Sequence, residues 1–270
     1  MPMRKKNRDA AAVSRPAESL SRRSFLKTAS VGATSLAALG GVSSTAQAAD
    51  PMSPEDVGLF ATMYSVRAMR RLKPDPIPDE ILRKIVEAGI QAPNGGNRQD
   101  WGFILVRDPD LKRFIRDRYA ATQEELAKEL AKTRPPLQDL PPARQRVMQA
   151  GAYLSEHMHE APVLLLACAA KVYAPWAHHP RASTATAHGS IYLAVQNMLL
   201  ACRALGIGTV ITTTHCFFED ELKQQVGVPE DMEIAALLPL GYPRGKFGPT
   251  RRKPVEEVMF WDRWGNTAQA

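Results

Sequence analysis

The feature that most limits the possible folds is an uninterrupted run of eight apolar residues, Val163–Ala170, with the sequence VLLLACAA. A run without polar alternation is typical of a strand that is buried on both faces, so we expect it at the centre of a sheet. Trp101–Val106 and Glu233–Tyr242 are further apolar segments that predict strands. Helical patterns outnumber these strands, which indicates an α+β or an α/β domain.

Two helices and one loop are the clearest of the other elements. Apolar side chains recur with a helical period over Asp79–Ala92, which predicts a helix that Pro93 ends. Thr184–Leu205 is apolar on all sides and is therefore expected to be a buried helix. Lys171–Ser183 predicts a loop that is long enough to cover a site. Its larger side chains would line the mouth of that site: Tyr173, Trp176 and His178.

The positive charge of the chain is concentrated at its N-terminus. The chain carries a net charge of +7, of which residues 1–48 carry +6 and the remaining 222 residues carry +1. A body so close to neutrality gives no electrostatic reason to expect a nucleic-acid partner. Since 44% of the residues are hydrophobic, a disordered chain is excluded. No run of 18 apolar residues exists, so no stable membrane span is predicted.

Residues 1–48 have the layout of an export signal. A basic stretch containing Arg22–Lys27 (RRSFLK) precedes a charge-free stretch, Thr28–Val42, and Ala46–Ala48 (AQA) is a small-x-small cleavage pattern. The paired arginines predict a twin-arginine signal peptide and export to the periplasm or the cell exterior. Residues 49–57 would then be a linker and residues 58–270 the folded domain. A disordered basic tail and an uncleaved anchor are the alternatives, although about 15 weakly apolar residues are short for a span.

Several common sites are absent from the sequence. No G-x-G-x-x-G segment follows a strand, and there is neither a P-loop nor a G-x-S-x-G elbow. Three scattered cysteines are too few for a disulfide scaffold or a cysteine-only zinc site. His178 and His179 lack a neighbouring cysteine or carboxylate pair, so no metal site is predicted.

Several segments resemble, in order and spacing, those of one known family. The arginine-rich opening Arg67–Leu82 is followed by Ala92–Trp101 (APNGGNRQDW). Further along come Leu205–Thr209 (LGIGT), Leu238–Pro243 (LPLGYP) and Arg251–Glu257 (RRKPVEE). One such motif is weak evidence, but their shared order is specific. Over roughly residues 58–265 the chain resembles the nitroreductase family.

The resemblance implies an α+β fold in which a central mixed sheet is flanked by helices and two copies form an intertwined homodimer. It also implies that FMN lies at the interface, where both chains touch it. The family moves hydride equivalents between NAD(P)H, flavin and an electron-poor acceptor such as a nitroaromatic or a quinone. We therefore expect an exported FMN-dependent oxidoreductase with a small-molecule electron donor and acceptor.

Arginines near both ends of the domain are candidates for binding the phosphate of FMN. A phosphate of charge near −2 requires cations or backbone N–H groups. By family position, Arg67 and Arg252 would hold the phosphate or the ribityl chain, and Arg70 would approach the pyrimidine edge of the flavin. Arg71 and Arg251 complete the cationic set. Three clustered arginines alone are more often a solvated surface, but the companion motifs favour a binding site.

A second contact set is expected on the turn after the first long helix. Asn and Gln side chains have both donors and acceptors, which match the polar edge of the flavin ring system, and glycine lets a backbone approach closely. The resemblance assigns to this set Pro93, Asn94, Gly95, Asn97 and Gln99. It also places Thr212 and Thr213 near the flavin face. A plain turn is the alternative for this segment.

Two places depart from the family pattern. Val66 stands where the R-R-S motif has its first arginine, and Ala68 stands in place of the serine, so a hydrogen bond to the flavin or its chain is lost. Asp100 replaces the proline that usually precedes Trp101. No side chain stands out as a general acid, so no catalytic residue is predicted.

Two other functions are compatible with these residues. One is a non-catalytic flavin-binding protein, which the departures at Val66 and Ala68 favour slightly. The other is a flavin-dependent dehydrogenase or dehalogenase on the same fold. The aromatic residues of the tail lack an element to bury them, which favours packing on a second copy over folding back. These residues are Phe247, Phe260, Trp261 and Trp264.

Overall fold

In the computed structural model, which describes residues 58–267, the apolar segments of the sequence form the strands. The strands are β1 (Trp101–Val106), β2 (Val163–Ala170), β3 (Gly208–Thr209) and β4 (Met232–Gly241). They form one sheet in the order β1-β2-β4-β3. The central position and the burial of β2 agree with its unbroken apolar run. The signal peptide and the linker predicted over residues 1–57 lie outside the described residues.

The helices lie on both faces of this sheet. They are α1 (Leu59–Ser65), α2 (Asp79–Ile90), α3 (Pro109–Ala131), α4 (Pro142–His157), α5 (Pro180–Ala204) and α6 (Glu219–Val226). Leu164 and Leu166 of β2 face a core shared with α3, α4 and α6. Leu165 and Ala167 face the opposite core, which is shared with α2 and α5. Within residues 58–267, no helix has both the length and the hydropathy needed to cross a membrane.

The α+β class is confirmed, but the expectation of a mixed sheet is wrong for the described strands. All three strand pairings are antiparallel. Val106 at the end of β1 pairs with Leu164 at the start of β2, so the connection between them leaves and re-enters the sheet at the same end. The packed helices α3 and α4 form this connection. Because a helical hairpin returns the chain to the end it left, β1 and β2 run in opposite directions.

Helix α5 differs from its prediction in its start and in its burial. It begins at Pro180, four residues before the predicted start, because proline is well suited to the first turn of a helix. The predicted loop over residues 171–183 is correspondingly shorter. Leu193 is 48% exposed and Tyr192 is 37% exposed, so the part of the chain that the structure describes leaves one side of this apolar helix uncovered.

Candidate functional site

The arginine-rich segment lies extended along the β3–β4 edge of the sheet. The N–H of Met69 donates to the carbonyl of Thr209 (2.8 Å), and the N–H of Lys73 donates to that of Tyr242 (2.8 Å). Leu72 forms a bridge with Pro243, and both Met69 and Leu72 are buried. These anchors fix the backbone, while Arg67 and Arg71 are exposed and Arg70 is half-buried.

The tail meets this segment just after β4. The N–H of Arg244 donates to the carbonyl of Arg71 (2.9 Å), and its Nε donates to the carbonyl of Leu72 (3.0 Å). The predicted residues Arg251 and Arg252 follow and are exposed. Among the described residues, the hydrogen bond from Arg252 Nη1 to the carbonyl of Arg251 (3.1 Å) is the contact seen for this pair. The structure thus brings the start of the tail, but not the two arginines themselves, into contact with the first segment.

Sequence reasoning missed two further arginines of this region, Arg203 and Arg244. Arg203 lies in the last turn of α5, and its Nε donates to Ser65 Oγ (2.8 Å). Its guanidinium carbon lies 4.5 Å from the centroid of the Phe247 ring. The only sequence signal was an arginine at the end of an otherwise apolar helix. We call Arg67, Arg70, Arg71, Arg203 and Arg244 the arginine corner.

Within residues 58–267 no arginine of the corner forms an ion pair, although the charge of Arg244 contributes to lowering the pKa of the Glu160 carboxyl. Other arginines there form ion pairs with acids: Arg98, Arg107, Arg113, Arg116 and Arg118. Arg71 instead lies over the ring of Tyr153, 5.1 Å from its centroid. Because unpaired cations on a fixed backbone produce a positive potential, the corner suits an anion such as a phosphate.

The second predicted contact set lies on a strained turn. Gly95–Asn97 form a short 3₁₀ helix, and the backbone is left-handed at Gly96 (φ 60°), Asn97 (φ 52°) and Gln99 (φ 56°). The Oδ1 of Asn94 accepts from the N–H of Gln99 (2.9 Å), and Ser190 Oγ accepts from the N–H of Gly95 (3.1 Å). A left-handed glutamine persists only where its surroundings impose it, and such strain is concentrated at functional sites.

Beside this turn lies a cavity of about 20 Å³ whose wall includes Asn94, Gly95, Tyr173 and Ser190. Such a volume is enough for about one water molecule. A flavin ring bound here would therefore need further walls from outside this cavity. Of the side chains expected at the mouth, Tyr173 lines the cavity and Trp176 packs against Tyr173 with ring centroids 5.2 Å apart. His178 is exposed.

The Gly95→Ala variant is expected to lose stability and to distort this turn. A Cβ at position 95 would lie 2.7 Å from Thr186 Cγ2 and 2.8 Å from Tyr173 Cε2, and relieving such overlap costs about 1–3 kcal/mol. Gly189→Ala is the matched control, since a Cβ there meets nothing within 4 Å and alanine favours a helix by up to about 1 kcal/mol. Urea unfolding of both variants measures the difference, and equal stabilities would contradict the packing described.

The two predicted threonines follow β3. Thr212 forms a bridge with Leu237 of β4, and its Oγ1 donates to the hydroxyl of Tyr119 (3.1 Å). Thr214, which was not predicted, accepts from Gln123 Nε2 (2.7 Å). These two contacts with helix α3 hold the segment after β3 in place. The side chain of Thr213, by contrast, is exposed.

The two contact sets lie at opposite ends of the sheet. Trp101, which follows the turn, pairs with Ala169, and Ala169 pairs with Glu233 near the start of β4. Leu72, in the arginine-rich segment, pairs with Pro243 beyond the other end of β4. At about 3.3 Å per residue, the distance along β4 from Glu233 to Pro243 is roughly 33 Å. From this separation we infer that the two sets of a single chain do not contact the same FMN molecule.

An acid–base pair lies at the same end of the sheet as the turn. His188 Nε2 of α5 lies 2.7 Å from Glu233 Oε1. Burial raises the pKa of the Glu233 carboxyl, and the neighbouring His188 lowers it in part. The His188 side chain is 43% exposed, so solvent reaches this pair. Sequence reasoning missed it because the partners are far apart in the chain.

The cysteines offer no reactive thiolate. Burial raises the pKa of Cys168 to about 11 and that of Cys202 to about 12. The pKa of the more exposed Cys216 is also raised, mainly by burial. Thiols with raised pKa values stay protonated near neutral pH and are poor nucleophiles. Within residues 58–267, no grouping of His, Cys, Asp and Glu side chains could hold a metal ion.

Residues 64–242 match the model of a protein family described as the nitroreductase family. The chain is 30% identical over 196 residues to an NADH dehydrogenase of Thermus thermophilus, an alignment that covers 72% of this chain and 91% of that relative. It is 29% identical over 196 residues to iodotyrosine deiodinase 1 of Rattus norvegicus. That alignment covers 72% of this chain and 65% of the deiodinase, so the chain spans slightly less than two thirds of the deiodinase.

Solved structures share the fold at lower identity. An oxidised iodotyrosine deiodinase bound to FMN and 3-iodo-L-tyrosine is 24% identical, with a TM-score of 0.56 and coverage of 76% of this chain and 99% of that chain. A nitroreductase with bound FMN from Desulfitobacterium hafniense DCB-2 is 19% identical, with a TM-score of 0.55 and coverage of 75% of this chain and 97% of that chain.

Proposed function

Because the chain belongs to the nitroreductase family, we propose that it is an FMN-dependent oxidoreductase. It passes hydride equivalents from NAD(P)H or another small-molecule donor to an electron-poor acceptor of the nitroaromatic or quinone type. The observation that carries this proposal is the arginine corner, whose five guanidinium groups form no ion pair among the described residues. Such a corner suits the phosphate that distinguishes FMN from riboflavin.

The residues of this chain fit FMN in three places. Arg67 and Arg252 hold the phosphate or the ribityl chain, and Arg70 lies at the pyrimidine edge. The amides of Asn97 and Gln99, which have no partner within residues 58–267, hydrogen-bond the polar edge of the ring. When bound, FMN would supply the hydride chemistry, because hydride transfer is a reaction of the flavin ring itself.

The separation of the two contact sets supports a homodimer with shared sites. Since the sets of one chain lie roughly 33 Å apart along β4, a complete site combines the arginine corner of one copy with the turn of another. Exposed apolar residues offer a surface for such pairing, including Phe60 at 67%, Leu193 at 48% and Trp264 at 92% exposure. Burying this area would favour association.

An absorbance spectrum of the purified protein tests the proposed cofactor. We expect flavin bands near their usual visible wavelengths that bleach with dithionite, and oxidation of NADH or NADPH by a quinone faster than with free FMN. A folded protein that stays colourless after incubation with FMN would refute the proposal. Flavin binding without turnover would instead favour a non-catalytic flavin protein.

A reductive dehalogenase is the second candidate function. The 29% identity to rat iodotyrosine deiodinase 1 favours it. In that reaction two electrons from reduced flavin and one proton replace a carbon–iodine bond by a carbon–hydrogen bond and release iodide. Iodide release from 3-iodotyrosine, with dithionite as the reductant, separates the two functions. Release at a rate no greater than with free FMN would leave the quinone or nitroaromatic acceptor as the better assignment.

We also propose export by the twin-arginine route, on the evidence of the Arg22–Lys27 motif and the Ala46–Ala48 cleavage pattern. Both segments lie outside the described residues. Cell fractionation of the full chain and of an Arg22→Lys/Arg23→Lys variant tests this: the parent protein should leave the cytoplasm and the variant should stay there. Equal distributions would contradict the proposed route.

A further inference from the structure

Arg203 lies where three segments of the domain meet. These segments are the end of α1 at Ser65, the last turn of α5, and the start of the tail at Phe247. The arginine-rich opening begins two residues after Ser65, with Arg67. Arg203 therefore lies beside the region proposed to hold the phosphate of FMN, although it is far from that region in sequence.

The contacts of Arg203 leave most of its donors available. Among its contacts with the described residues, only its Nε is used, in the 2.8 Å hydrogen bond to Ser65 Oγ. Neither Nη group has a partner within residues 58–267, and no carboxylate pairs with the guanidinium there. The ring of Phe247, 4.5 Å away, restricts the side chain by stacking, as a cation–π contact does. A half-buried, oriented and unpaired guanidinium is suited to binding an anion.

Arg203 lies close to the position at which this sequence lacks an arginine of the family motif. Val66 occupies the place of the first arginine in the resembling R-R-S motif, and Ser65, which accepts from Arg203, is the residue directly before Val66. We propose that Arg203 supplies from α5 the cation that position 66 lacks, and that its Nη groups bind the phosphate of FMN. This inference rests on the proposed flavin site and adds a phosphate-selective residue to it.

Comparison of FMN with riboflavin tests this role, because the two ligands differ only by the phosphate. For Arg203→Gln we expect the Kd of the apoprotein for FMN to rise by about 10- to 100-fold, the range of one charge-assisted contact. The Kd for riboflavin should change by less than about twofold. Quenching of flavin fluorescence measures both constants without any turnover. The FMN affinity of the parent protein should also fall with salt, and that of the variant less steeply.

Matched variants separate phosphate binding from a structural role. Arg146→Gln removes an exposed arginine of α4 and should leave both constants unchanged, while Arg203→Lys should recover part of the FMN affinity because it keeps the charge. Phe247→Leu, which keeps Arg203 but removes the stacked ring, should weaken FMN binding by an intermediate factor.

Four results would overturn the inference. Equal losses of FMN and riboflavin affinity in Arg203→Gln would show that Arg203 only supports the fold. Unchanged FMN affinity would show that it does not contact the phosphate. If the parent protein itself binds no FMN, both the proposed function and this inference are refuted. Should Arg203→Gln not fold, the FMN-to-riboflavin ratios of Arg203→Lys and Phe247→Leu decide, and parental ratios in both would refute the proposal.

Discussion

Replacing both Arg67 and Arg252 by alanine is expected to raise the Kd for FMN by about a thousandfold. Each charge-assisted contact to a phosphate contributes about 1.5–3 kcal/mol, and each 1.4 kcal/mol changes a dissociation constant tenfold. The buried Met69 and Leu72 anchor the backbone of the first segment, so the loss of the Arg67 side chain should not move its neighbours. Fluorescence titration of the apoprotein measures the constant.

The control for this variant removes two arginines that have carboxylate partners. Arg113 pairs with Asp110 and Arg118 pairs with Glu221, all at exposed positions, where such pairs contribute little stability. The Arg113→Ala/Arg118→Ala variant should therefore bind FMN like the parent protein. An FMN affinity that is equal in both double variants would show that the predicted arginines do not form the phosphate site.

Strands were the most predictable part of this fold. The bounds of β1 and β2 agree with the apolar runs that predicted them, because an unbroken apolar segment bordered by polar residues or proline has few other ways to be buried. Strand direction was not predictable, since an apolar run contains no information about where the chain re-enters the sheet. In this domain the α3–α4 hairpin decides the direction of β2 relative to β1, through contacts between residues that are distant in sequence.

Local sequence was also a poor guide to the boundary and the exposure of α5. The sequence pattern places Pro180 in a loop, but a proline is tolerated in the first turn of a helix because its missing N–H has no partner there in any case. The apolar character of the helix predicted full burial, whereas Leu193 is 48% exposed. Hydrophobicity shows that a surface favours burial, but it does not say whether the same chain or another copy covers it.

The candidate site was predicted in part, for a physical reason. Motifs along the chain identified the arginines at 67–71 and the turn at 94–99, because these residues are close in sequence. Arg203 and the His188–Glu233 pair were missed, because each depends on a helix that packs against a distant segment. The expected convergence of Arg251 and Arg252 with Arg67 stays a prediction, since the contacts seen between these segments join Arg71 and Leu72 to Arg244 instead.

Mixing two variants that each bind FMN weakly is expected to restore tight FMN binding, if the site is shared between copies. One variant, Arg67→Ala/Arg252→Ala, lacks the phosphate cations, and the other, Asn97→Ala/Gln99→Ala, lacks the two amides proposed to bind the ring. In a mixed dimer one site combines both defects and the other combines the intact arginines of one chain with the intact turn of its partner. After unfolding and refolding together at equal amounts, half of the dimers are mixed, so about a quarter of all sites should bind FMN with parental affinity.

The same experiment distinguishes a shared site from one built within a single chain. If each chain formed its own complete site, every chain in the mixture would still carry a defect, and refolding would restore no tight binding. Light scattering of the refolded mixture gives the oligomeric state, and fluorescence titration counts the tight sites. Parental protein taken through the same refolding provides the reference for full recovery. The roughly 33 Å between the contact sets along β4 leads us to expect recovery, because only a second copy can bring an intact turn to an intact arginine corner.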